Sequence, residues 1–132
     1  MTETKSPWDE RVFFFGRAVW KKFAQLLVYH GDEQIPFLSC VDGSHAQAVR
    51  FALERLEIPY EFEQGSGERV PNPVAEGKYE VVGAGFLHFY KERNLIVVPI
   101  NSLSRNYDKG FNPEHFEKVR PFFPQGLEVR VE

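Results

Sequence analysis

The chain is organised around residues 36–63, which have the sequence PFLSCVDGSHAQAVRFALERLEIPYEFE. The apolar run Phe37 to Val41 predicts a β-strand, and the Gly43-Ser44 pair after it predicts a turn. From Ala46 to Glu57 the apolar residues recur at helical spacing, which predicts an amphipathic helix with one buried stripe: Val49, Ala52, Leu53 and Leu56. The alternating run Ile58 to Glu63 predicts a second strand, so the stretch forms a strand–turn–helix–strand unit.

Ser44 and His45 stand at the predicted start of this helix. Ser44 is a good N-cap, because its hydroxyl can accept a hydrogen bond from a free backbone amide. His45 then lies in the first turn, at the positive end of the helix dipole, which attracts anions and disfavours the imidazolium. A neutral imidazole in this position is a candidate base or nucleophile. In the competing interpretation, which is the commoner one for a lone histidine, His45 only covers the edge of the sheet beside Val49.

The N-terminal part of the chain predicts a helix followed by a strand. Ser6-Pro7 has the composition of a helix start, and an apolar stripe continues from it at helical spacing: Val12, Phe15, Val19 and Phe23. Phe23 to His30 alternates as a strand does, and Gly31-Asp32 predicts a turn that joins it to Phe37 to Val41 in a hairpin.

After residue 63 the chain predicts mostly strands. Turn-forming residues fill 64–73, and Gly83-Ala84-Gly85 interrupts an otherwise apolar strand pattern. The predicted elements are strands at Tyr79–Val82, Phe86–Tyr90, Leu95–Ile100 and Leu127–Val131 and a helix that begins at Asn112-Pro113. The order α-β-β-α-β-β-β-α-β predicts an α+β fold in which helices flank a mixed sheet of about six strands. We expect residues 1–132 to form a single domain, with 1–5 as a loose N-terminal tail.

Composition limits the partners and the location. The net charge of −3 and the pI of about 5.8 argue against nucleic acid and anionic membranes as partners. The single cysteine, Cys40, lies in an apolar strand pattern, which predicts a buried, inert thiol and fits a cytoplasmic protein. The first residues lack the pattern of a signal peptide, and the apolar runs are shorter than the about 18 residues of a membrane span.

Two glycine-rich segments are candidate anion sites. Gly65-Ser66-Gly67, followed by Arg69, and Gly83-Ala84-Gly85 could each let backbone amides approach an oxyanion. Neither matches a phosphate-loop or dinucleotide fingerprint, and taken separately each is better explained as a bulge or a bend. The histidines lack metal-ligand spacing, so we expect neither a metal nor a cofactor: His30, His45, His88 and His115. We expect His88 and His115 to be structural or surface residues.

Three short motifs follow one another in the same order as in one known protein family. His45-Ala46 begins the predicted helix, Glu63 to Arg69 is a glycine-rich turn that ends in a basic residue, and Lys78 to Gly83 is a strand segment that ends in glycine. Together they resemble the Janus/phosphohistidine phosphatase family, a small α+β fold with a six-stranded sheet and two helices. The resemblance covers Phe23 to Phe89 and then the last helix and strand.

The resemblance implies roles for particular residues. His45 would be the catalytic histidine, and the backbone amides near Gly85 and Phe86 would bind phosphate. Lys22 would be the basic residue at the start of the first strand, and Arg69 or Lys22 would offset charge on the phosphoryl oxygens. The chain departs from the family where a Tyr-Ser pair of the phosphate loop is replaced around Ala84-Gly85, and Leu95 to Ile100 is an added strand.

The resemblance therefore implies a phosphohistidine-phosphatase-like fold with a histidine-based phosphate site, acting as a metal-independent phosphoryl hydrolase or transferase. Its partner would be a phosphate-bearing ligand or a phosphoprotein. The alternative is a non-catalytic interaction module, in which aromatic residues form an exposed patch for a homodimer or a partner protein: Trp8, Phe13 and Phe14. A ligand carrier that uses the face of the sheet is a third class.

Overall fold

The computed structural model describes residues 6–63, 72–104 and 107–132. Its longer elements are the helices α1 (Pro7–Glu10), α2 (His45–Arg55) and α3 (Pro113–Val119) and the strands β1 (Val12–Phe15), β2 (Trp20–His30), β3 (Glu33–Val41), β6 (Tyr79–Tyr90), β7 (Leu95–Val98) and β10 (Glu128–Val131). Four two-residue strands form two separate pairs. The strand β4 (Glu61–Phe62) pairs with β5 (Pro73–Val74), and β8 (Leu103–Ser104) pairs with β9 (Lys109–Gly110). Turns of 3₁₀-helix span Lys91–Arg93 and Arg120–Phe122.

A six-stranded mixed sheet forms the centre of the molecule, with the strand order β1-β3-β2-β6-β7-β10. The four inner strands pair antiparallel, while the edge strands β1 and β10 pair parallel to β3 and β7. The predicted α+β class and the six-stranded mixed sheet are therefore confirmed. No helix among the described residues has the length and apolar character needed to cross a membrane.

The long N-terminal helix predicted from the apolar stripe is wrong. Helix α1 has only four residues, because Arg11 adopts a left-handed conformation with φ of 66° and ends it. The following residues, Val12–Phe15, form β1 and pair in parallel register with Leu38 to Val41. Two members of the supposed helical stripe are solvent-exposed, Phe15 at 61% and Val19. Pairing with β3 has overridden the local helical pattern, as apolar β-branched and aromatic residues allow.

Helix α2 covers one face of the sheet. Ser44 caps it, because its side-chain hydroxyl accepts a hydrogen bond from the backbone N–H of Gln47. In return, the side-chain oxygen of Gln47 accepts a hydrogen bond from the backbone N–H of Ser44. The helix begins at His45, directly after the predicted Ser44 cap, and its apolar stripe is buried as predicted: Val49, Ala52, Leu53 and Leu56. The stripe packs on alternate residues of β2 and β3, including Ala24, Leu26 and Phe37.

Helix α3 packs on the opposite face. Asn112 caps it and Pro113 is its first residue, as predicted, and Phe116, Val119 and Phe123 lie against Phe23, Leu38 and Cys40. A buried polar link joins this helix to β2. Gln25 Nε2 donates to the Asn112 carbonyl at 2.8 Å and lies 3.2 Å from His115 Nδ1, while His115 Nε2 donates to the Leu26 carbonyl at 2.9 Å. The two helices thus sandwich the sheet.

The glycines of β6 lie inside one continuous strand. The predicted interruption is instead a shift of register where Gln25 faces Gly83 and Leu26 faces Val81. A Cβ at Gly83 would collide with the Gln25 side chain and lie 2.8 Å from Asn112 Cβ, so only glycine lets α3 dock this closely. The other predicted strands are present with shifted ends, and β4 retains only Glu61–Phe62 of the run from Ile58 to Glu63.

Candidate functional site

His45 is held in place from two directions. As the first residue of α2, its backbone position follows from the Ser44 cap. Its Nε2 lies 2.8 Å from the backbone carbonyl oxygen of Gly85, in the middle of β6. A carbonyl oxygen only accepts, so Nε2 carries the proton and Nδ1 carries the free lone pair. Nδ1 has no hydrogen-bond partner among the described residues.

The environment of His45 favours the neutral ring. The side chain is 7% exposed, and this burial is the largest cause that lowers its pKa below the ordinary value of 6.5. The hydrogen bond to Gly85 acts in the opposite direction, while the positive charge of Lys22 lowers the pKa further. A buried, neutral imidazole with one unprotonated nitrogen is what a general base or a nitrogen nucleophile requires at neutral pH.

Lys22 and Phe86 flank the His45–Gly85 contact. They are directly opposite each other in the register of β2 and β6, next to the Phe23–Gly85 pair. Alternation along β2 puts Lys22 on the same face as Ala24, which lies under α2. Lys22 has no carboxylate partner within ion-pair distance among the described residues. The structure therefore brings together four of the residues predicted from the sequence: His45, Lys22, Gly85 and Phe86.

Gly85 also has a packing role on the other face of β6. A Cβ at this position would collide with Ser102 Oγ and would lie 2.9 Å from the Phe23 ring. Ser102 is buried, and its Oγ has no hydrogen-bond partner among the residues that the structure describes. The absence of a side chain at Gly85 thus lets Ser102 and Phe23 approach β6 closely. The Gly85 carbonyl oxygen is left to accept the hydrogen bond from His45.

Two expectations from the resemblance are not tested by these contacts. His45 meets the carbonyl oxygen of Gly85, and this contact leaves open whether the amides of Gly85 and Phe86 bind phosphate, as the resemblance implies. Arg69 and the Gly65-Ser66-Gly67 turn lie outside the described residues, so the expected position of that guanidinium beside His45 stays a prediction.

An aromatic row that the sequence interpretation missed begins at this site. Trp20, Phe86, His88 and Tyr90 lie on one face, with ring centroids 5.6 Å apart for Trp20–Phe86 and 6.1 Å apart for Phe86–His88 and for His88–Tyr90. Lys22 Nζ lies 5.7 Å from the Trp20 ring. The signal was present in the sequence, because rings at alternate positions of one strand share a face. We define these four residues as the aromatic row.

A buried lysine forms an ion pair with a partly exposed aspartate close to the start of α2. Lys21, which is 0% exposed, donates to Asp42 at 2.5 Å and to the carbonyl oxygens of Phe15 and Gly16 at 3.2 and 3.0 Å. The three hydrogen-bond donors of its ammonium group thus each have an acceptor within the chain, which is typical of a structural lysine. Lys21 and Lys22 therefore face opposite sides of the sheet, and only Lys22 is near His45.

The remaining candidates are structural. Cys40 is buried as predicted, and burial raises the pKa of its thiol, so it is not activated as a nucleophile. His115 is buried in the link between α3 and β2. The described residues contain no group of three or more His, Cys, Asp or Glu side chains that could hold a metal ion.

The aromatic patch expected from the N-terminal residues is wrong. Phe13 is 3% exposed and stacks on Phe37 in the core, and Phe14 packs against Phe89 and Phe123. Trp8 lies partly buried against His30. The reason is that Phe13 and Phe14 lie in a sheet strand and pack into the cores on the two opposite faces of the sheet, rather than on one face of a surface helix.

The surface clefts described on the molecule have other linings. One of about 430 Å³ lies beside the start of α2 and is lined by Phe15, Asp42 and Gln47 among others. Another of about 370 Å³ lies at the end of β6, with Arg17, Tyr90 and other residues in its lining. Neither of these two clefts is lined by His45, Lys22 or Phe86.

Comparison of the sequence with models of known protein families gave no match. Comparison with curated proteins gave no significant match either.

Proposed function

We propose that this protein is a metal-independent phosphoryl hydrolase or transferase with His45 as its catalytic residue and a phosphohistidine-phosphatase-like fold. The observation that supports it is an imidazole whose Nε2–H is donated to the Gly85 carbonyl and whose burial favours the neutral form. Within the described ranges, its Nδ1 has no hydrogen-bond partner and the nearby ammonium of Lys22 has no carboxylate partner. The six-stranded sheet between two helices agrees with the coarse architecture of that family.

The reaction is a transfer of the phosphoryl group at Nδ1. In the nucleophilic route, Nδ1 forms a bond to phosphorus while the bond from phosphorus to the leaving group breaks, and water then hydrolyses the phosphoimidazole. The ring gains positive charge in the first step, and the Gly85 carbonyl that accepts from Nε2–H stabilises this charge. In the general-base route, Nδ1 takes a proton from the attacking water instead.

Lys22 supplies the electrostatic part of the proposal. Phosphoryl transfer needs positive charge at the equatorial oxygens, and an ammonium without a carboxylate partner can provide it. Burial is the main cause that lowers the pKa of His45, and the same charge lowers this pKa further by disfavouring the imidazolium. Arg69 is proposed as a second cation on the basis of the resemblance alone.

The test combines binding and turnover. Inorganic phosphate at millimolar concentration is expected to shift the NMR resonances of the His45 ring, and the wild-type chain is expected to release phosphate from phosphoramidate. His45→Asn should reduce this hydrolysis by at least about a hundredfold. His30→Asn is the matched control, because His30 packs on Trp8, at the far end of β2 from Lys22. Hydrolysis that survives His45→Asn in a folded variant overturns the proposal.

A non-catalytic interaction module is the second candidate, and Phe15 is the observation that favours it. This ring is 61% exposed at the end of the edge strand β1, where a second chain could cover it. Under this proposal Phe15→Asp lowers the sedimentation coefficient of a concentrated sample, and Phe122→Asp serves as the control at another exposed ring. A sedimentation coefficient that does not change with wild-type concentration argues against a homodimer.

A further inference from the structure

The open part of the sheet face next to His45 has a composition suited to a planar ligand. The aromatic row crosses from β2 to the end of β6, and α2 packs on β2 and β3 instead of covering it. Trp20 is 46% exposed. The indole ring of Trp20 is therefore about half exposed to solvent on the sheet. A flat apolar group that stacks on this ring would be stabilised by the apolar area that both lose to solvent.

Lys22 connects this surface to the proposed phosphoryl site. Its ammonium lies 5.7 Å from the Trp20 ring centroid, and its backbone faces Phe86, the neighbour of Gly85. Trp20 and Phe86 are 5.6 Å apart, so the two rings and the ammonium form one cluster. A phosphoryl group bound by Lys22 would thus have His45 on one side and an exposed indole on the other.

The charges of this region favour an anion. Lys22 has no carboxylate partner in the part of the chain that the structure describes, and Arg93 lies over the Tyr90 ring, 5.8 Å from its centroid, at the far end of the row. Both cations therefore stand over rings of the same row, although the whole chain has a net charge of −3. Stacked rings with adjacent cations are the features by which proteins hold nucleobases and their phosphates.

We propose that the ligand of this site is a mononucleotide, with its phosphoryl group at Lys22 and His45 and its base stacked on Trp20 and Phe86. The inference rests on the proposed function, because it takes the phosphoryl position from it. A mononucleotide fits the arrangement since its phosphate and its base are separated by a single ribose, and Lys22 adjoins both positions. The base supplies affinity by stacking and leaves the chemistry to His45.

The experiment compares two ligands that differ only in the base, AMP and ribose 5-phosphate. It uses the full chain in a Trp8→Phe background, so that the fluorescence reports Trp20. AMP is expected to quench this fluorescence, to shift the His45 ring resonances, and to bind about tenfold more tightly than ribose 5-phosphate. Trp20→Leu should reduce the AMP advantage to less than about twofold, while inorganic phosphate still shifts the His45 ring resonances.

The outcomes separate the two proposals. Equal affinity for AMP and ribose 5-phosphate, together with a phosphate-induced shift of His45, overturns the stacking inference and leaves the phosphoryl site intact. If neither inorganic phosphate nor AMP perturbs His45, the proposed function falls and the inference falls with it. Quenching of Trp20 by AMP without a response of His45 also overturns the inference, because the phosphate would then lie elsewhere. Phe62→Leu, at an exposed ring on the separate β4–β5 pair, is the control for nonspecific stacking.

Discussion

His45 Nε2 and the Gly85 carbonyl oxygen, 40 residues apart in the chain, lie 2.8 Å from each other. The contact joins the first residue of α2 to the middle of β6. It fixes which nitrogen of the ring is protonated, and so it determines that any chemistry of His45 takes place at Nδ1. The contact also makes the site depend on the backbone of a glycine, whose own position depends on packing against Ser102.

Removing the charge of Lys22 is expected to raise the pKa of His45. Burial lowers this pKa below 6.5 and the Lys22 ammonium lowers it further, so Lys22→Gln moves the value upward without restoring it fully. An NMR pH titration of the ring carbons measures it. Lys118→Gln is the matched control, because Lys118 acts on the pKa of His115. A His45 pKa that responds equally to both substitutions contradicts the described geometry.

Adding a methyl group at Gly85 is expected to destabilise the fold. The Cβ of Gly85→Ala would collide with Ser102 Oγ and come within 2.9 Å of Phe23, which corresponds to about 1–3 kcal/mol of overpacking in urea denaturation. The double variant with Ser102→Ala removes the nearest atom and should recover part of this loss. If the single and double variants have the same free energy of unfolding, Ser102 does not press on Gly85.

Neutralising Asp42 is expected to destabilise the fold. Asp42→Asn leaves the fully buried Lys21 ammonium with two carbonyl acceptors and no counter-charge, and because the Asp42 side chain is itself 30% exposed, the loss is about 1–3 kcal/mol. Lys21→Met combined with Asp42→Asn should lose less, because no charge remains buried. Arg55→Met, which breaks the half-exposed pair with Glu10, is the control and should lose less than about 1 kcal/mol. Equal losses in all three variants would refute the buried-charge explanation.

The fold is expected to lose stability as the pH falls below neutral, with His115 as one cause. Burial lowers the pKa of His115, and this outweighs its hydrogen bonds to the backbone of Leu26 and Phe37. In the unfolded chain the ring binds a proton near pH 6.5, whereas the folded ring does not, so the free energy of unfolding decreases as the pH falls through this range.

Urea denaturation at about pH 8 and about pH 5.5 measures this decrease. His115→Gln should be less stable at the higher pH by about 1–3 kcal/mol, because it disturbs the buried bonds to Gln25 and Leu26. The variant should also show a smaller decrease between the two pH values. A decrease as large as that of the wild-type chain would show that His115 does not contribute to the pH dependence.

Local signals predicted the central unit well. The Ser44 cap, the apolar stripe of α2 and the strand before it depend on residues within a few positions of one another, and the structure reproduces them. The start of α3 at Asn112-Pro113 was predictable for the same reason. The N-terminal stripe failed, because Val12 to Phe15 satisfies a helical period and a strand equally well, and a partner strand about 26 residues away decides between them.

The sequence by itself determined the class of the fold, the two capped helices and the presence of a histidine at the head of α2. Only the tertiary structure decided that this ring meets the Gly85 carbonyl, that Lys22 rather than Lys21 lies beside it, and that Trp20 stays half in water next to both. Helix caps and hydrophobic periodicity depend on residues that are close together in the sequence, within one or two helical turns, so they can be recognised from the sequence. The protonation, burial and neighbours of a side chain depend on which distant strands pair and in which register, and this is set by packing of the whole sheet.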